Sequence, residues 1–116
     1  MDKVVIAAQI AVAFSVAFVW IFRIHNVIKE FNQFGLSDVM RSFVGFAKTA
    51  LATLLIAGIW YPDLVFFAGA FMAFFMAAAQ YFHFQAENPF QQRLPSLVLL
   101  LLSIFIAVNA SNPLGI

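Results

Sequence analysis

Residues 43–60 read FVGFAKTALATLLIAGIW, an apolar run broken by a single charge, Lys48. A helix needs about 20 such residues to cross a hydrocarbon core of roughly 30 Å. Working outward, Val4 to Phe22, Leu64 to Phe84 and Leu97 to Val108 are runs of the same kind, and none holds a full charge. The last is the shortest, and it reaches spanning length if Pro95 and Ser96 open the helix and residues 109–111 close it. The expected fold is therefore all-α: one domain over residues 1–116, an integral membrane bundle of four transmembrane helices at about 4–22, 40–60, 63–84 and 95–111. Lys48 becomes the residue to explain, because a charge at membrane depth costs a few kcal/mol or more unless it finds a partner or water.

Composition narrows the function classes. The 116 residues are 65% hydrophobic and 9% charged, outside the soluble globular range. With no cysteine, thiol chemistry and cysteine-ligated metal centres are excluded from this chain. A net charge of +1 leaves no basic patch for nucleic acid, so the Lys and Arg residues serve better as topology markers. One Lys followed by a long apolar stretch without a small-residue cleavage site fits a retained signal anchor.

An amphipathic interfacial extension is expected after the first helix. Ile24, Val27, Ile28, Phe31 and Phe34 recur at helical spacing, with Arg23, Asn26, Lys29, Glu30 and Asn32 on the other side. Gly35 ends it, Ser37 is the expected N-cap of the next helix and Asp38 suits its first turn. Trp60, Tyr61, Pro62 and Asp63 form a tight turn at an interface, and Gln85 to Leu94 is expected as a loop. The segments 23–42 and 85–96 carry Arg23, Lys29, Arg41 and Arg93, against Lys3 on the opposite side. The positive-inside rule then expects a multi-pass protein of the plasma (inner) membrane with both termini outside.

Small residues suggest packing faces: Ala7, Ala11 and Ser15; Gly45, Thr49, Thr53 and Ala57; Gly69, Ala73 and Ala77. The fourth run lacks such a stripe and is expected to be peripheral, facing lipid or a partner. Internal packing is the preferred reading of these stripes, and homo-oligomers are the alternative.

Met76, Gln80, His83 and Glu87 share one face of the third helix near its cytoplasmic end, and Arg41 and Lys48 share a face of the second. Arg23 and His25 end the first helix at the same level. The expected ligand-binding set is Lys48, Gln80, His83, His25, Arg23, Arg41 and Glu87, converging at one mouth of the bundle. Ammonium, amide and imidazole are the donors that an anionic or carbonyl-bearing head group needs. The competing readings are ordinary ones: Lys48 snorkels to the interface, the two histidines keep a polar edge in water, and Glu30 and Glu87 are solvated loop acids. A bis-histidine haem is imaginable in such a bundle, but both histidines sit at helix ends beside loops. His83 and Glu87 without a third ligand do not make a metal site. The sequon at 109–111 lies too close to the membrane to weigh as a glycosylation site, and no catalytic constellation is present.

Phe34-Gly35-Leu36, then Phe43-Val44-Gly45-Phe46-Ala47-Lys48, a helix closing on Ala57-Gly58-Ile59-Trp60-Tyr61-Pro62, a third helix from Gly69-Ala70 to Gln80 and His83, and Leu94-Pro95 before the last run together resemble the DoxX-like family. The resemblance implies a four-helix membrane protein. Its relatives include the small subunit of a thiosulfate:quinone oxidoreductase, redox-associated bacterial membrane partners and an animal receptor-assembly chaperone. Two expectations follow for function. One is a non-autonomous accessory subunit whose cytoplasmic-end pocket, built on Lys48, Gln80 and His83, holds a quinone-like or other small amphipathic ligand. The other is a ligand-free assembly protein docking another membrane protein through its fourth helix or the loop before it. Lipid, a membrane-protein partner or a second copy are the expected neighbours.

Overall fold

A computed structural model describes residues 3–110, with the side chains of residues 90 and 92 outside the description. The described chain is helical throughout, with no strand. Helix α1 spans Lys3–Phe22, α2 Ile24–Gln33, α3 Asp38–Ala57, α4 Val65–Gln85 and α5 Phe90–Asn109, and a single 3-10 turn at Pro62–Leu64 leads into α4. Three stretches, Lys3–Phe22, Asp38–Ala57 and Pro62–Gln85, are long and apolar enough to cross a membrane, and Arg93–Asn109 is an apolar but shorter one.

Helices α1, α3, α4 and α5 close a ring in which α1 packs on α3, α3 on α4, α4 on α5 and α5 back on α1. Short turns make the sequence neighbours antiparallel, so α2 and the α4–α5 turn lie at one end of the bundle. The long axis of 40 Å matches a bilayer with its headgroup regions. Val12, Leu55, Val65, Met72 and Ile106 are fully buried along the axis. The outer surface is as apolar as the core: Phe14, Phe46 and Val108 are at least 70% exposed, which suits lipid rather than water.

Local signals act where they were expected. The chain breaks at Arg23 (φ −120°, ψ 28°), so α2 is a separate helix rather than a straight continuation of α1. Gly35 (φ +77°) takes the left-handed position that ends α2, and the Leu36 N–H donates to the Phe31 carbonyl at 3.0 Å. The Ser37 hydroxyl caps α3 by accepting from the Met40 N–H at 3.1 Å, and Asp38 pairs with Arg41 at 2.8 Å.

Several expectations are corrected. Residues 90–94 are helical, so α5 starts well before Pro95 and carries this proline inside it. The Gln80 side chain crosses from α4 to donate to the Arg93 carbonyl at 2.8 Å, a side-chain link between the two helices. The end expected at 111 lies outside the described residues. Helix α5 is not peripheral: it makes the most extensive contact in the bundle, against α4, and buries Ser103 and Ile106 completely. The α1 stripe is displaced as well. Val5, Ala8, Gln9, Val12, Ala13 and Val16 face the core, while Ala7 and Ala11 point outward. In α3, Gly45 is buried but Thr49 and Thr53 are exposed along an apolar groove beside α1.

Candidate functional site

The short connections at either end of α2 fold it back onto the bundle, and beneath it lies a cavity of about 660 Å³, within the size range of small-ligand sites. Its walls are mostly aromatic and aliphatic, from Trp20 on α1, Phe31 on α2 and Phe34 just after it, Phe43 on α3, Phe75 on α4 and Leu99 on α5. Seven polar side chains interrupt them: Arg23, Asn26, Glu30, Lys48, His83, Gln91 and Ser96.

Lys48 is half-buried on α3. Its Nζ lies 6.0 Å from the centroid of the Trp20 ring, at cation–π range, and it lines the cavity. Trp20 reaches this position because residue 45 is glycine: a Cβ there would stand 2.6 Å from Trp20 Cζ3. Among the described residues, Lys48 makes no hydrogen bond and no ion pair within 4 Å, so its three N–H donors face the cavity unengaged.

His83 is buried, with 3% of its surface exposed, which overturns the interfacial reading of this ring. Its orientation follows from a chain of side-chain contacts. Gln33 Nε2 on α2 donates to Asn88 Oδ1 at 2.9 Å, which leaves Asn88 Nδ2 to donate to His83 Nδ1 at 2.8 Å. In the neutral ring the proton then sits on Nε2, which faces Glu30 Oε2 at 3.7 Å, beyond a direct hydrogen bond. Phe34 packs edge-on against the same ring with centroids 5.2 Å apart. Asn88 is delivered by Glu87, which turns the chain at φ 57°, and its backbone N–H returns to the His83 carbonyl at 3.0 Å.

Glu30 is half-exposed and lines the cavity with Arg23 and Asn26, all at helical spacing on one face of α2. Burial pushes its carboxyl above the ordinary value of 4.5, and the positive charges of Lys48 and Arg23 oppose that rise. Arg23 is held by Asn26, whose amide oxygen, turned toward it, accepts from the guanidinium at 2.6 and 3.0 Å.

Of the expected set, Lys48, His83 and Arg23 come together around this cavity. Gln80 does not line it, since its amide is taken by the Arg93 carbonyl. Arg41 is engaged with Asp38 on the surface, His25 is exposed, and Glu87 serves as the left-handed turn residue outside the cavity. Glu30, Trp20 and Asn88 were missed. Glu30 had a legible signal: it follows Val27 by three residues and precedes Phe34 by four, which places it on the apolar stripe of α2. Among the described residues no group of three His, Cys, Asp or Glu side chains stands close enough to hold a metal ion.

An all-helical, lipid-faced bundle with a roofed cavity at one end defines a small integral membrane protein. The family model described as the DoxX-like family matches residues 4–106, and the chain belongs to that family. No match is found among curated proteins or among solved structures.

Proposed function

We propose that this DoxX-like protein is a non-autonomous accessory subunit of the membrane, and that the cavity under α2 holds a quinone-like or other small amphipathic ligand. In this reading the chain crosses the plasma (inner) membrane four times, with α2 and the α4–α5 turn in the cytoplasm and both termini outside. The observation that carries it is the conjunction in one 660 Å³ cavity of apolar walls with unengaged donors, Lys48 Nζ and His83 Nε2. An apolar body would displace water from the aromatic walls, and a carbonyl or anionic head would accept from the donors at the polar corner.

The test is purification in mild detergent followed by mass spectrometry of extracted small molecules, then titration of decylubiquinone against Trp20 emission. Removing one charge-assisted hydrogen bond of roughly 1.5–3 kcal/mol predicts weakening of about 10- to 150-fold for Lys48→Met. His83→Phe should act on the same site, so the double variant should be non-additive. Absence of any bound molecule and of quinone binding, or additive effects, would refute the shared site. A second reading, a ligand-free assembly protein, draws support from the outward-facing Ala7 and Ala11, small residues that suit close approach of a partner helix. A stoichiometric co-purifying protein without a small molecule would favour it.

A further inference from the structure

The cavity's polar corner has an uneven charge. Arg23 and Lys48 bring two cations and Glu30 one carboxylate, while His83, with Nδ1 occupied by Asn88, presents a neutral N–H. The carboxylate neutralises neither cation by contact: among the described residues neither Lys48 nor Arg23 forms an ion pair within 4 Å. Of the two cations Arg23 is exposed and held by Asn26, whereas Lys48 is half-buried beside the Trp20 ring with its donors unengaged, so a bound anion interacts most strongly with Lys48.

We infer that the cavity selects amphiphiles whose head is a singly charged oxyanion, such as a carboxylate or phenolate, seated between Lys48 Nζ and His83 Nε2, with Glu30 as the carboxylate that opposes its entry. This rests on the reading that the cavity is a ligand site, and narrows that reading to one head-group chemistry. A neutral carbonyl would use the same donors but would leave the excess charge standing. A cationic head would meet Lys48 and Arg23. Glu30 faces Arg23 from its own helix, Lys48 from α3 and His83 from α4, and Arg93 of α5 acts on His83. The Glu30 carboxylate competes with the incoming oxyanion for Lys48.

The experiment uses the full chain in nanodiscs with Trp60→Phe, which leaves Trp20 as the sole indole of the two in the sequence. Decanoate, methyl decanoate and decylammonium are titrated at pH values above the ordinary carboxylate range, so that decanoate stays ionised. Decanoate should bind more tightly than the ester, and decylammonium most weakly. Lys48→Met should weaken decanoate about 10- to 150-fold and leave the ester unchanged. Lys48→Arg, which keeps the charge, should retain decanoate binding and so separates charge loss from misfolding. Glu30→Gln should tighten decanoate severalfold and leave the ester unchanged. Ester or decylubiquinone binding more tightly than decanoate, or weaker decanoate binding in Glu30→Gln, would overturn the anion assignment while leaving the ligand site standing. No binding of any probe would overturn both.

Discussion

Replacing Gly69 tests where the bundle is held together. A Cβ at this position would lie 3.1 Å from Ile106 Cγ2, 3.2 Å from the Ala107 nitrogen and 3.3 Å from the Ser103 carbonyl oxygen. Non-bonded carbon atoms settle at about 3.5–4.0 Å, so α4 and α5 must separate by a few tenths of an ångström. Rotating Ile106 relieves only the first contact, because the other two atoms are backbone, and Ile106 is fully buried with nowhere open to turn. Overpacking of this kind costs about 1–3 kcal/mol. Alanine recovers roughly 0.5–1 kcal/mol of helix preference over glycine, leaving a net loss of up to about 2 kcal/mol for Gly69→Ala. Gly69→Leu, whose side chain has no room at all, should lose more than the alanine variant. Phe105→Leu, at a site 36% exposed on the other face of α5, should stay within about 0.5 kcal/mol of wild type. Equilibrium unfolding in mixed micelles measures all three. If Gly69→Ala matches or exceeds the wild type, or if Phe105→Leu loses as much as Gly69→Leu, the α4–α5 contact is not the close one described.

Gly45→Ala should displace the Trp20 ring from its place under Lys48, read as a shift in Trp20 emission together with weakened probe binding, whereas an unchanged spectrum would contradict the packing of Trp20 on Gly45. Asn88→Ala removes the group that joins Gln33 of α2 to His83 of α4, so amide exchange across residues 24–33 should accelerate while that of α3 does not; equal protection would show that this link does not hold α2 down. For orientation, Lys29→Cys should resist an impermeant thiol reagent in intact cells, and the native chain, having no cysteine, gives no background; labelling of this site from outside would reverse the assignment.

The apolar runs and the caps were legible, and the packing faces were not, for a common reason. Bilayer thickness converts directly into residue count, and the Gly35 stop and the Ser37 cap are local hydrogen-bond chemistry that needs no tertiary context. A face is different. In a soluble bundle the buried side announces itself by contrast with a polar one, but α1 is apolar all round, so spacing alone could not tell Ala7 and Ala11 from Ala8, Val12 and Val16. Gln9 was the available clue. A lone amide on an otherwise apolar helix needs a partner, and it is fully buried, donating to the Leu55 carbonyl of α3 at 2.7 Å. Pro95 misled as well: proline signals a helix start by local rules, whereas here it sits about one turn inside α5, where its missing N–H removes a single hydrogen bond, that to the Gln91 carbonyl.

The candidate site depends on one short departure from helical geometry. Had α1 run on unbroken through Arg23, the ten residues of α2 would have projected about 15 Å further along the bundle axis, carrying Glu30 away from the cavity. The break instead lays α2 across the end of the bundle, and Gly35 returns the chain to Ser37 without strain. The turn brings an acid into the neighbourhood of a membrane-depth lysine and a buried histidine that no single helix could have gathered. It also leaves α2 attached differently from its neighbours, with Val27 its one buried residue and the Gln33–Asn88 hydrogen bond as a polar tie to the α4–α5 turn. An element held by so little buried apolar surface opens at lower free energy than the bundle it covers.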